Sequence, residues 1–411
     1  MGRRFGWLWG AYAISTVGSS LALNAFSLIA VLALHAGPAR VAALAAAGLA
    51  AGAVLATPLG PWVETRRKRP VMIAMDLSRF VALGSIPLAY GLGALGFPQL
   101  LVVSVLVGTA DIAFTAAGGA FLKGLVPADR LLAANGRFES TTWSALALGP
   151  PLGGAAIGLF GPVATMLADA VSYLLSAVGV AAVGGREPRP APGARGPRMA
   201  GLLAGWRHIW ASSTLRPLFL NTVLVNGLIL AGEPPLSVLL LGRLGFAPWE
   251  YGLAFALPCL GGLLGSRLSG RLVTRFGRGP VLLVSGVLRA CWPVGLAVTG
   301  PGLGGLLLVM GVELALISCV GVFNPIFATY RLEQTPPELV ARVLTAWSVT
   351  GKLTVAALTA MWGVLASAIG LRPALAAAGV LLLATPLLLP RHALSGTRST
   401  TARTGTPTPV P

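Results

Sequence analysis

Apolar residues run along this chain in long, charge-poor blocks separated by short breaks rich in charge, glycine and proline. Cutting at the breaks leaves twelve blocks, at about 7–34, 41–62, 71–93, 97–122, 133–159, 163–183, 217–242, 247–268, 280–299, 302–328, 343–368 and 373–390. Most are near or above the roughly 20 residues a helix needs to cross a bilayer. In hydrocarbon every backbone group must bond within its own segment, so these blocks predict membrane-spanning helices. The longest polar connection, 184–216, opens GGREPRPAPGARGPR, which is linker chemistry. It continues MAGLLAGWRHIW, where Leu202, Leu203, Trp206 and Trp210 predict one face of an interfacial helix. The Thr/Pro-rich stretch after Pro390 reads as disordered. The expected organisation is therefore a six-helix bundle over 1–183, a cytoplasmic linker over 184–216, a second six-helix bundle over 217–390 and a tail over 391–411.

Composition agrees: 55% of the 411 residues are hydrophobic, 10% are charged, and the mean hydropathy is +0.81. An ordinary soluble domain carries roughly 25% charge, so a water-soluble fold is excluded. The chain has 30 basic and 12 acidic residues, a net charge of +18. In a soluble protein that balance would suggest nucleic acid. Here 24 of the 30 basic residues fall in segments on one side of the predicted spans and three (Arg40, Arg243, Arg372) on the other, with Arg79, Arg289 and Lys352 inside spans. That asymmetry follows the positive-inside rule, predicts a plasma-membrane protein with both termini cytoplasmic, and leaves no case for nucleic acid. The opening MGRRFGWLWG has too long an apolar run for a signal peptide and reads as the retained first span. Cys259, Cys291 and Cys319 match no metal spacing, and the three histidines lie in separate loops, so neither a metal nor a cofactor is expected.

The chain repeats itself. A shift of 210 lays Gly60–Arg79 on Gly270–Arg289, pairing Gly60 with Gly270, Pro70 with Pro280 and Arg79 with Arg289. A shift of 202 lays VGTADIAFTAAGGAF on VMGVELALISCVGVF, pairing Asp111 with Glu313 and Phe121 with Phe323. Two ordered matches that include polar residues argue for duplication of a six-helix unit.

Between blocks two and three the chain reads GPWVETRRKR, and between blocks eight and nine GRLVTRFGRG. With twelve spans and a 6+6 repeat, these loops resemble the signature of the major facilitator superfamily. Gly60, Lys68 and Arg69 match it in the first copy, with Glu64 standing for its aspartate; Gly270, Arg275, Gly277 and Arg278 match it in the second. Thr65, Arg67, Thr274 and Gly279 depart from it. The resemblance implies gating: the glycines let helices approach, and the loop carboxylate and basic residues latch the two halves. In the fifth block, Gly149-Pro150-Pro151-Leu152-Gly153-Gly154 resembles the motif of the superfamily's exporters and antiporters. Proline bends a helix, and the glycines permit tight packing. VPADRLLAANGRFES, VATMLADAVSYLLSAVGV and TPPELVARVLTAW further resemble the macrolide and siderophore exporter branch.

Ionisable side chains inside spans are costly and default to function. Asp111 and Glu313 hold equivalent repeat positions, in spans that line the central cavity in the resembled family. Glu233 precedes Pro234-Pro235, where a helix break is expected, and Asn24 holds the corresponding place in span one. Lys352 is the only lysine inside a span. These five form the expected proton and substrate coupling set. Asp76 with Arg79, and Arg289, read as structural, through an i,i+3 pair or snorkelling.

The expectation is a monomeric secondary transporter that moves a hydrophobic or amphipathic small molecule outward in exchange for protons, by alternating access. A proton-linked uptake carrier of the same fold is the alternative. No Walker-type loop is present, and neither an Asp-x-x-Asp cluster nor a histidine lies in any span, which sets aside ATP hydrolysis and an integral-membrane transferase.

Overall fold

The computed structural model describes residues 2–22, 25–32, 34, 44, 48, 54–55, 57–185, 187 and 203–390. Among them every regular element is helical. The first half of the chain holds α1 (Arg3–Leu21), α2 (Ala25–Leu32), α3 (Leu59–Thr65), α4 (Lys68–Gly91), α5 (Phe97–Leu125) and α6 (Leu131–Ala182). The second holds α7 (Ala204–Ala211), α8 (Leu215–Ser237), α9 (Pro248–Ala256), α10 (Cys259–Phe276), α11 (Arg278–Cys291), α12 (Gly302–Glu333), α13 (Val340–Ile369) and α14 (Leu371–Ala384). Nine helical segments among the described residues are long and apolar enough to cross a membrane. The first predicted span is α1 with α2, and the fifth is the first arm of α6. The second lies mostly outside the described residues, which show its end as α3. Residues 188–202 and 391–411, and with them Leu202 and most of the predicted linker and tail, also lie outside the described residues.

Glycine and proline punctuate the hairpins. Gly161, Gly277 and Gly370 have φ of 83°, 83° and 94°, a left-handed backbone that side-chain-bearing residues avoid. Each ends one helix, and Pro162, Pro280 or Pro373 lies in the first turn of the next. Gly161 thus separates the fifth and sixth predicted spans within α6. The expected break at Pro234-Pro235 takes a different form. α8 continues through both prolines to Ser237 and is followed by a π-helical segment, Val238–Arg243; the prolines leave the carbonyls of Leu230 and Ala231 without their i+4 donors but do not force the chain to turn.

Without a hydrophobic force between helices in lipid, close approach of small residues supplies the packing. A Cβ at Gly265 would collide with the Ser318 carbonyl oxygen, and one at Gly321 with that of Gly262, so α10 and α12 touch backbone to backbone.

The two halves of the chain join at the end where the loop-signature segments lie, called here the basic end. Lys123 donates to the carbonyls of Leu332 and Thr335. Asn135 donates to Thr329 at 2.9 Å, Asn324 to Glu139 at 2.8 Å, and the Ser140 and Ser266 hydroxyls bond at 2.7 Å. One apolar cluster there mixes Val63, Met72, Phe121 and Leu131 with Leu332, Val340 and Leu344. The clusters around Ile86 and Met166, around Leu240 and Leu306, and around Val225 and Trp362 each come from one half alone.

α7 forms where an interfacial helix is expected. It buries Gly205 and Ile209, and half-buried Trp206 donates to Thr350 at 3.0 Å, while Leu203 and Trp210 are exposed. A Cβ on Gly205 would collide with the Arg342 carbonyl oxygen, so α7 is clamped to the start of α13 through its glycine face rather than its leucine face.

Candidate functional site

Midway along the helices, a chain of charges links three elements. Lys352 of α13 donates to Asp111 of α5 at 2.8 Å, joining the two halves of the chain. The other Asp111 oxygen lies 3.5 Å from Arg79 of α4, which also lies 3.5 Å from Asp76 one turn earlier. Ser176 of α6 donates to Asp76 at 2.7 Å. Exposure falls steeply along the chain: Asp111 is 51% exposed, Lys352 26%, Arg79 4% and Asp76 0%. The Arg79 guanidinium sits between the rings of Phe114 and Tyr173, 5.1 and 4.9 Å from their centres. Asp111 is thus the accessible member of a network whose other end is buried.

The i,i+3 contact of Asp76 and Arg79 is present, but snorkelling is not. Arg79 turns into the bundle, because Asp111 and two rings solvate its charge there. Sequence reasoning missed it as a site residue, although its pairing with Arg289 in the repeat marked the position. Arg289 is equally buried, 3.5 Å over Phe323, and donates to Asn221 Oδ1 at 2.5 Å. It does not reach Glu313. The repeat therefore places equivalent residues without equivalent partners: Asp111 has two cations, while no basic side chain pairs with buried Glu313 or exposed Glu233 among the described residues. Asn24 lies outside the described residues.

At the basic end Glu64 pairs with Arg342 of α13, closing one half of the chain against the other. Burial pushes the Glu64 carboxyl above its ordinary range, and the Arg342 charge draws it back. Gly60 makes room for this approach, since a Cβ there would meet Thr345 at 3.1 Å. Lys68 and Arg69 do not cross between the halves as a latch requires. Lys68 donates to the carbonyls of Val63, Glu64 and Arg66, and Arg69 to those of Val180 and Ala181. They cap helix C-termini, where a cation meets unpaired carbonyls. In the second copy Arg278 pairs with Glu333 inside the second half, and Gly277 supplies the turn. Arg275 rests on the neighbouring Phe276 ring at 5.3 Å, and the Gly270 position faces open space. In the sequence Arg342 is only one of the basic loop residues and Glu333 carries no signal; nothing local marks them, because their partners are more than 50 residues away.

The sequence matches the description "Major Facilitator Superfamily" over residues 8–357. The chain belongs to that superfamily. Among solved structures of the fold, the human organic anion transporter MFSD10 (TETRAN) is 16% identical with a TM-score of 0.76, over 94% of this chain and 100% of that one. A bacterial homologue of the iron transporter ferroportin, in an outward-facing state, is 18% identical with a TM-score of 0.77, over 94% and 98%. A single-substitution variant of the E. coli fucose:proton symporter FucP is 12% identical with a TM-score of 0.70, over 93% and 97%. No curated protein matches the sequence. Superfamily membership makes the chain a multi-pass membrane transporter rather than an enzyme.

In this superfamily protein α6 stays helical through the Gly149–Gly154 segment. The glycines of that segment serve contact. A Cβ at Gly149 would collide with Ser20 Cβ, and one at Gly153 with the Leu21 carbonyl oxygen, where α1 ends. Gly154 faces open space, and Pro150 continues the helix. Gly153→Val is expected to destabilise the protein by about 2–4 kcal/mol, because overpacking against backbone cannot relax by rotamer change. Gly154→Val is expected to be nearly neutral; thermal unfolding in detergent compares the two.

Proposed function

We propose that the chain is a proton-coupled exporter of a hydrophobic or amphipathic small molecule, working by alternating access between two six-helix halves, 1–183 and 217–390. The observation that carries this reading is Asp111, an accessible carboxylate shared between Lys352 of the opposite half and Arg79 of its own. A group so placed exchanges partners when the halves move, and a proton or a cargo molecule competes for the same oxygens. Glu233 and Glu313, with no paired cation among the described residues, offer the second half a place for a proton or a positively charged part of the cargo. Exporter direction is supported by the Gly149–Gly154 motif. The 24-to-3 distribution of basic residues supports a plasma-membrane setting, with the basic end and both termini in the cytoplasm.

The test is transport in everted vesicles, whose cytoplasmic face is outward. Acidifying the lumen is expected to drive accumulation of an amphipathic fluorescent cation, and an uncoupler should abolish it. Accumulation driven only by the opposite proton gradient reverses the reading to uptake, and indifference to the gradient removes protons from it.

A further inference from the structure

A groove of about 700 Å³ lies where α1 and the first arm of α6 meet α10, away from the Asp111 network. That volume falls within the roughly 300–1,000 Å³ of typical ligand-binding clefts. Its polarity changes along its length. At the basic end it is lined by Arg137 and Arg267 beside the bonded Ser140 and Ser266 hydroxyls. Toward mid-membrane it is lined by Val17, Leu148 and Leu152, all exposed. Both arginines are exposed, and neither pairs with a carboxylate among the described residues. Arg137 is held in place 5.8 Å over the Phe5 ring.

The geometry points to a binding site for one anionic phospholipid, from the leaflet at the basic end. Its phosphate meets Arg137 and Arg267, and an acyl chain lies along Val17, Leu148 and Leu152. Three observations select this occupant. The groove is open along the exposed apolar side chains Val17, Leu148 and Leu152 on helices read as membrane-spanning, a surface that suits an acyl chain. From Arg137 to Leu152 an α-helix rises roughly 22 Å, enough to run from the interface past the middle of a core about 30 Å thick, the reach of one leaflet's lipid. Two unpaired guanidinium groups at the interface end match a phosphate, which accepts paired donors from arginine. Because α1 and α6 belong to one half of the chain and α10 to the other, the bound lipid touches both.

The full chain in phosphatidylcholine nanodiscs doped with phosphatidylglycerol tests this by native mass spectrometry. Wild type is expected to retain phosphatidylglycerol in preference to phosphatidylcholine. Each arginine near an anionic surface adds roughly fivefold in affinity, so Arg137→Gln with Arg267→Gln should lower retention roughly 25-fold. Arg137→Lys with Arg267→Lys, which preserves charge, should keep most of it. Gly270→Leu fills open space in the groove without altering charge and should also reduce retention. Equal retention of the two lipids, unchanged retention in the double glutamine variant, or displacement by inorganic phosphate alone would each overturn the assignment.

Discussion

Asp111→Asn is expected to lower proton-driven transport roughly 100-fold or more, the scale reached when a side chain that takes up and releases a proton is removed. The substitution keeps the shape of the side chain and deletes its charge. Lys352 then loses its 2.8 Å partner across the halves, and buried Arg79 is left with Asp76 alone. The carboxylate is the exposed end of the network, so the chain is expected to insert normally and to keep cargo binding, now without pH dependence. Lys352→Ala should instead shift the pH optimum, because Asp111 retains Arg79 and stays titratable. Transport and equilibrium binding, measured against pH for both variants in proteoliposomes, separate these outcomes. If Asp111→Asn pumps at the wild-type rate across an imposed gradient, the network is structural and coupling lies elsewhere.

The second large effect is on the conformational balance. Glu64→Gln removes the ion pair with Arg342 that closes the basic end. A charge-assisted hydrogen bond contributes about 1.5–3 kcal/mol, so the closed population should fall by roughly 10- to 100-fold relative to the open one. Distance measurements between spin labels placed at the ends of α3 and α13 read this directly. Exchanging the pair, as Glu64→Arg with Arg342→Glu, should restore the closed state. Lys68→Ala should not mimic Glu64→Gln, since Lys68 caps its own turn. The pH dependence carries a definite sign. Burial raises the Glu64 carboxyl, so falling pH protonates it and weakens the latch, and Glu64→Gln should abolish that dependence. A wild-type distance distribution in Glu64→Gln would reduce the contact to packing.

The amino-acid sequence by itself determined the architecture, because the bilayer makes that information one-dimensional. Long apolar blocks become helices wherever hydrocarbon forbids unpaired backbone groups, so the boundaries of α4, α5, α8, α12 and α13 follow the apolar pattern within a few residues. The Gly-Pro punctuation at 161–162, 277–280 and 370–373 likewise acts locally, through a left-handed backbone and a missing donor. The loop-signature residues and the 6+6 repeat pointed to the superfamily for the same reason: each is a short pattern with fixed spacing. Partners are another matter. Asp111 and Glu313 are equivalent in sequence, yet only the packing of α4, α5 and α13 gives Asp111 two cations, while Glu313 has none beside it among the described residues. Arg79 reads as an i,i+3 partner of Asp76 or a snorkelling side chain until Phe114, Tyr173 and Asp111 are found around it. Lys68 and Arg69 read as latch residues until the carbonyls at the ends of α3 and α6 claim them, while Glu64 pairs with Arg342, 278 positions away. Which charge meets which depends on how separate helices rotate and lean against one another. That is a property of the packed bundle, and no local pattern encodes it.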